Sequence, residues 1–593
     1  MTDRRRVLHL LADLSRRAGV RRSVFAVTTS LVSGVTAVVV SLWLKLILNG
    51  VARGEGGLVT AAAVALGVTV VVQSATATLA LRFLAELQFA CGRQLVCDIM
   101  RAASGPGGIE HYERPEFADR IVLLKQELNY LSGFLPILGE GAALAGRIGL
   151  TAVLLAGVHP ALLLLPILAV PSVYAGGVAE RVVNRANVAT AEKRRREQHL
   201  FDLVTTASPA KEVRIFGLGD EVVRRERAAW AETTDVIARA QLRAGLVRSS
   251  GWLPFAAGYL AAVAFVLERA GSGRATPGDV LLVMILAGQV NGQVAQLLNV
   301  SNRSASALRV LRRYLWLRDY AAEAVARLRP ESPAPVPSSL RTGIELCDVS
   351  FRYPQSNRDA VLSGLNLRLE AGSTVAIVGE NGAGKTSLIK LLCRFYEPTS
   401  GVVTVDGVDL RAFDVDRWRE RLSGGFQDFA RLELLLRESV GVGNVAVVDD
   451  AEPVRAALGR VGADFPFELD CQLGRQWVGG VDLSEGQWQK VAMARAMMRA
   501  APLLLLLDEP TSGLDAHAEH ELFELFAGVA STIARRSGAI AVFVSHRFST
   551  VRMADHIVVL AGGCVVEQGD HDALVAAGGL YSELYAIQAR AYE

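Results

Sequence analysis

Long apolar runs fill the chain before about residue 300, and beyond it apolar and polar positions alternate in the short periods of a globular α/β domain. A helix needs about 20 mostly apolar residues to cross hydrocarbon, and six stretches qualify, at about 23–44, 58–79, 137–158, 161–178, 252–266 and 280–300. The third and fourth are joined only by His159-Pro160, which predicts a tight hairpin. Beyond them, 329–340 is rich in Pro and Ser and cannot extend a helix, so it reads as a linker. The second half predicts buried strands at 344–349, 374–378 and 503–507, the last a run of five leucines. The expected fold class is a multi-domain membrane protein: an all-α six-helix transmembrane domain over 1–328, then an α/β domain over 341–593.

Lys and Arg orient the spans. The N-terminal segment (Arg4, Arg5, Arg6, Arg16, Arg17, Arg21, Arg22) and the long segments 82–130 and 180–250 are basic, whereas the connections at 49–57, 159–160 and 268–277 are short and nearly neutral. Both termini are therefore expected in the cytoplasm of a cell-membrane protein. The two long basic segments read as helical extensions of the spans, turning near 109–119 and 207–217. Residues 1–20 are too short and too interrupted, by His9 and Asp13, for a signal peptide, and read as a basic amphipathic helix on the inner membrane face.

Composition sharpens this picture without changing it. With 51% hydrophobic residues over 593 positions, part of the chain belongs in lipid, and a net charge of +3 gives no reason to expect nucleic acid. The six cysteines have neither CxxC spacing nor disulfide-scaffold density, and are expected as reduced, mostly buried thiols. Polar residues at membrane depth are the first functional candidates. Gln289, Gln293 and Gln296, continued by Asn299 and Arg303, form an amide stripe that either lines a substrate path or joins helices, and Glu140 with Arg147 is expected to be a structural ion pair.

The strongest chemistry follows the 374–378 strand, where Gly379, Glu380, Asn381, Gly382, Ala383, Gly384, Lys385 and Thr386 fit the P-loop pattern, with Ser387 next. Glycines let successive N–H groups turn toward phosphates, Lys385 neutralises β/γ charge, and the Thr386 hydroxyl can hold Mg²⁺ at a helix start. Tyr353, after the first strand, offers a ring on which a flat base could stack. Then come Gly425-Phe-Gln427-Asp428, Leu483-Ser484-Glu485-Gly486-Gln487, Asp508-Glu509 closing the leucine strand, Ser512-Gly-Leu514-Asp515, and Ser545-His546-Arg547.

In this order the motifs resemble the ATP-binding cassette (ABC) ATPases from residue 344 to about 588, and six spans ahead of one cassette resemble an exporter-type half-transporter. The resemblance implies ATP and Mg²⁺ as cofactors and gives each residue a role. Asp508 holds the metal, Glu509 polarises the water that attacks the γ-phosphate, Gln427 reaches metal and water, His546 contacts the γ-phosphate, and Tyr353 stacks on adenine. Ser484, Gly486 and Gln487 belong to the signature helix that faces the other subunit's nucleotide, as does Asp515 to the adjoining loop. Glu485 stands where the family has Gly, although Ser484 and Gln487 still fit a capping box; the carboxylate would repel a triphosphate unless directed away. Gly513 stands where Ala is commoner.

One P-loop and one signature per chain require two chains, with a homodimer expected and a heterodimer open because of Glu485. The expected function is ATP-driven export by alternating access. Leu473-Gly-Arg-Gln-Trp477-Val-Gly-Gly480, Glu110-His-Tyr-Glu-Arg-Pro-Glu-Phe117 and Phe426-Gln-Asp-Phe-Ala-Arg431 are similar to exporters of modified peptides such as lanthipeptides. No peptidase segment is read ahead of the first span, so leader removal is expected to need another protein. Lipid or drug export, import by an exporter-type fold, and an anchored regulatory ATPase are the competing expectations; a single span would serve the last.

Overall fold

The computed structural model describes residues 3–105, 107–127, 132–206, 209–354, 360–508, 528, 532, 538–545 and 548–592. The chain divides into two compact units: Met1–Ile99 with Leu123–Leu315, and Met100–Val122 with Trp316–Glu593.

Helices form the first unit and extend into the Met100–Val122 and 316–328 parts of the second. Helix α1 is Asp3–Ala18, followed by α2 Val20–Arg53, α3 Gly56–Ser104, α4 Pro115–Gln126, α5 Phe134–Val158, α6 Leu165–Ala189, α7 Ala191–Thr205, α8 Ala210–Ile215, α9 Gly219–Gly271 and α10 Pro277–Leu328. Among the described residues, six helices are long and apolar enough to cross a membrane: α2, α3, α5, the Pro160–Ala189 stretch that α6 completes, α9 and α10. Three run far beyond their apolar windows, α3 with 49 residues, α9 with 53 and α10 with 52, as the basic extensions predict. The first turn comes earlier than expected, between Ser104 and Pro115, because proline starts α4 where its missing N–H leaves no bond unmade. At the hairpin, His159 ends α5 in extended conformation and its Nδ1 accepts the Ala161 N–H at 3.2 Å.

Close packing rests on small residues. A side chain at Gly251 of α9 would collide with Ala175 of α6, and one at Gly258 with Leu168, so the two backbones approach closely along this seam. Leu155, Leu165, Phe255, Val266, Leu282 and Leu286 are buried beside it. Val64, Val68, Val71, Leu253 and Leu260 are exposed, an outward apolar surface suited to lipid.

Two expectations about intramembrane polar residues change. Glu140 pairs with Arg303 of α10 at 2.7 Å, not with Arg147. The amide stripe divides: Gln293 is buried and donates to Thr151 of α5 at 3.0 Å, Asn291 off the stripe accepts from Ser172 at 2.6 Å, and Gln296 and Asn299 stay exposed. Helix-to-helix bonding is thus established for Gln293. At the other end of α10, Lys45 pairs with Asp279 at 2.7 Å and Asn49 accepts the Gly278 N–H at 2.9 Å.

The second unit holds two sheets. An antiparallel sheet of order β2-β1-β4-β5 combines Gly343–Phe351 (β1), Leu362–Glu370 (β2), Ser400–Val405 (β4) and Val408–Asp409 (β5). The second, of order β10-β9-β3-β8-β7-β6, combines Thr374–Gly379 (β3), Leu422–Gly425 (β6), Leu504–Asp508 (β7), Ile540–Val544 (β8), His556–Ala561 (β9) and Cys564–Gly569 (β10). Strands β3, β7 and β8 are buried at every position, as the continuous apolar runs of central parallel strands require. No helix crosses 329–342. All six cysteines are free thiols, but only Cys91 and Cys393 are buried and Cys97 is exposed, so the expectation of mostly buried thiols does not hold.

Candidate functional site

Strand register brings the motifs to one edge. Ile377 of β3 lies beside Val544 of β8, Val544 beside Asp508 of β7, and Leu507 beside Gly425 of β6, all in parallel pairs. The P-loop after β3, Ser545 after β8, Asp508 at the end of β7 and Phe426-Gln427 after β6 therefore leave the sheet at the same carboxyl edge. Ligands bind at such edges in open α/β sheets. Glu509, Asp515 and His546 lie outside the described residues; Asp508 and Ser545, which immediately precede Glu509 and His546, are at this edge and buried.

The P-loop is shaped by its glycines. Gly379, Gly382 and Gly384 have φ of 149°, 85° and 102°, the left-handed region in which side chains are strained. Gly384 caps helix α11, Lys385–Leu392, whose first N–H groups face the loop. The Lys385 ammonium is buried and donates to the carbonyls of Gly379 and Glu380, each at 2.9 Å, so it lies folded over the loop. A cavity of about 470 Å³ opens here, lined by Val361, Asn381, Gly382, Gly384, Lys385, Thr386, Ser387 and Gln427. Gln427, 42 positions after Lys385 in sequence, thus joins the P-loop in space. Val361 is a lining residue that no motif announces. The hydroxyl of Thr386, the carboxylate of Asp508 and the amide oxygen of Gln427 are hard oxygen donors of the kind that suit Mg²⁺.

Tyr353 is half-buried. Its hydroxyl meets the Ser387 hydroxyl at 3.0 Å, and its ring packs edge-on against Phe351 and Tyr396 with centroids 4.9 and 5.3 Å away. Lys390 lies 5.3 Å from the same ring and pairs with Glu113 at 2.9 Å, while the Tyr396 hydroxyl also donates to Glu113. Burial alone would lower the Lys390 pKa; the Glu113 carboxylate and the Tyr353 hydroxyl outweigh it and hold the ammonium above its ordinary value. Burial and the Glu113 carboxylate both push the Tyr396 hydroxyl up. The sequence had given Lys390 no role; only its i+3 spacing from Ser387 on α11 could have drawn attention to it.

The signature helix, α12, spans Glu485–Ala496. Its capping box forms as the sequence predicts: the Gln487 N–H donates to Ser484 Oγ at 3.3 Å and the Ser484 N–H to Gln487 Oε1 at 2.9 Å. Glu485, the departure from the usual glycine, is paired with Arg431. Gly486 follows with its backbone in the first turn.

Residues 362–512 match the ABC transporter family. The chain is 36% identical to the nisin transport ATP-binding protein NisT of Lactococcus lactis subsp. lactis over 247 residues, 41% of this chain and 40% of that protein. It is 34% identical to the ATP-dependent lipid A-core flippase of Bordetella pertussis over 335 residues, 56% of this chain and 51% of that one. A multidrug efflux ATP-binding/permease protein of Mycobacterium bovis is 40% identical over 302 residues, 50% of this chain and 24% of that protein. The chain thus spans about half or less of the length of these relatives. A bacterial Atm1-family ABC exporter solved with ATP bound shares the fold, with a TM-score of 0.72 at 22% identity over 96% of this chain and 98% of the other. The chain thus combines, among its described residues, six candidate spans of a multi-pass membrane protein with a segment, 362–512, that matches the ABC transporter family, in the fold of an exporter-type ABC protein.

Proposed function

We propose that the chain is an ATP-driven exporter working as a dimer, a homodimer in the first instance, with its cassettes and both termini in the cytoplasm. The observation that carries the reading is the convergence of four strand ends, with the P-loop, Gln427, Asp508 and Ser545, on one sheet edge beside a cavity of about 470 Å³. In this reading the loop N–H groups and Lys385 take the β- and γ-phosphates, and Lys385 exchanges the carbonyls of Gly379 and Glu380 for phosphate oxygens. Thr386, Gln427 and Asp508 would hold Mg²⁺, which supplies charge neutralisation between the β- and γ-phosphates. Glu509 is the base for the attacking water, a role that contributes about 10²- to 10⁴-fold. His546 contacts the γ-phosphate and Tyr353 takes the adenine once its hydroxyl leaves Ser387. Ser484, Gly486, Gln487 and Asp515 close the site from the partner copy.

ATP between two cassettes draws them together, the helical extensions transmit the closure, and hydrolysis resets the cycle. ATP must prefer the closed state for this to be driven. The substrate in this reading is a modified peptide, supported by the NisT similarity and by the motifs around Glu110, Arg431 and Trp477. Lipid export is the second reading, supported by the longer alignment with the lipid A-core flippase. Two measurements test the proposal. Glu509→Gln in lipid should bind ATP, accumulate closed dimers and hydrolyse at least about 100-fold more slowly; near-normal turnover overturns the assigned base. Uptake by inside-out vesicles of a lanthipeptide, but not of labelled lipid, supports the peptide reading, and the reverse outcome replaces it.

A further inference from the structure

The segment from Gln427 to Arg431 is a strap between two places. At one end Gln427 lines the nucleotide cavity. At the other, Arg431 pairs with Glu485, the first residue of the signature helix. Between them Phe429 packs against the cluster containing Leu483 and Trp488, and the Ala430 carbonyl accepts from Arg495 in the last turn of the same helix at 3.2 Å. Arg495 also donates to the Ser439 carbonyl at 2.8 Å. The inner contacts fasten the strap. The Arg431–Glu485 pair is different: both side chains are 53% exposed, so the pair adds little to stability.

We propose that Arg431 and Glu485 are a coupling pair through which a filled nucleotide cavity on one chain clears the signature helix for the nucleotide of its partner copy. The inference rests on the dimer reading above. Left alone, the Glu485 carboxylate at the start of α12 would repel an approaching triphosphate, and the Arg431 guanidinium neutralises it and draws it aside. Gln427 engaged at a filled cavity holds the strap, and with it Arg431 four residues later, in this paired position. Occupancy of one site then sets the charge presented to the other. In a symmetric dimer this acts in both directions and produces positive cooperativity.

The test uses the full chain in lipid nanodiscs, with Mg-ATP hydrolysis, Mg-ADP binding and sedimentation as readouts. Wild type should be dimeric and hydrolyse with a Hill coefficient above about 1, the two sites setting the upper bound at about 2. Arg431→Ala should bring the coefficient to about 1 and raise half-saturating ATP about 5-fold or more, with ADP affinity unchanged. Glu485→Ala should also abolish cooperativity without raising half-saturation, because no carboxylate remains to repel. Arg431→Lys, which keeps a positive charge opposite Glu485, should retain cooperativity. Retained cooperativity in Arg431→Ala, or an Arg431→Lys variant no better than Arg431→Ala, overturns the coupling role. A dimer that is non-cooperative as wild type also overturns it but leaves the dimer reading intact, whereas a monomer that hydrolyses at full rate overturns the dimer reading itself.

Discussion

Gly379 satisfies two demands at once: its φ of 149° excludes a side chain, and a Cβ there would collide with the Leu560 carbonyl of the neighbouring strand. Gly379→Ala should therefore lower the stability of the cassette unit by about 1–3 kcal/mol and weaken nucleotide binding, seen as a lower unfolding midpoint that added Mg-ATP fails to recover. Asp406, at φ 48° before Gly407 in the β4–β5 turn, gathers the N–H groups of Arg341, Thr342 and Gly343 at 2.8–3.1 Å. Burial raises its pKa, but these donors together outweigh that and hold it below the ordinary value. A depressed folded pKa contributes stability present above the unfolded value, near pH 4, and lost as pH falls through the folded one. Asp406→Asn should accordingly destabilise the unit at neutral pH by roughly 1 kcal/mol and by less in acid, measured by denaturant unfolding across pH. At this scale the P-loop was legible because its glycines and lysine are adjacent in sequence. The partner of Glu485 was not: Arg431 is 54 positions away, and only the fold sets them side by side.

Among the elements, the long apolar helices and the central strands were readable because burial on all sides leaves an uninterrupted apolar run. The polar ties between helices were not. Glu140 and Arg147 share a helix and invite pairing by spacing, yet the pair that forms joins α5 to α10 across 163 positions, a contact decided by helix packing. The seam between α6 and α9 gives the clearest element-level test. Gly251→Leu should overpack it at a cost of about 1–3 kcal/mol, read as lower thermal stability in detergent, while Gly245→Leu, which meets nothing within 4 Å, should be close to neutral.

For the whole molecule, the exposed basic helix α7, with Lys193, Arg194, Arg195 and Arg196, reports orientation. Trypsin should cut there in inside-out vesicles and spare right-side-out ones; the opposite pattern would reverse the proposed topology. The change from long apolar helices to an α/β domain was apparent from the apolar pattern, since lipid and water select such different residues, whereas the ATP-binding character was legible only through the ordered motifs. The division into compact units follows other lines, because the first turn and the end of α10 gather with the cassette: the Ile109 N–H donates to the Phe395 carbonyl at 3.4 Å, and Glu113 holds Lys390 and Tyr396. An ATPase fragment trimmed to begin at residue 341 would thus lose the first-turn residues that bond to Phe395, Lys390 and Tyr396. Without Glu113, Lys390 would lose its carboxylate and the Tyr396 hydroxyl its acceptor beside the Tyr353 ring proposed to take adenine, and kinetics from that shortened piece would differ from those of the full chain.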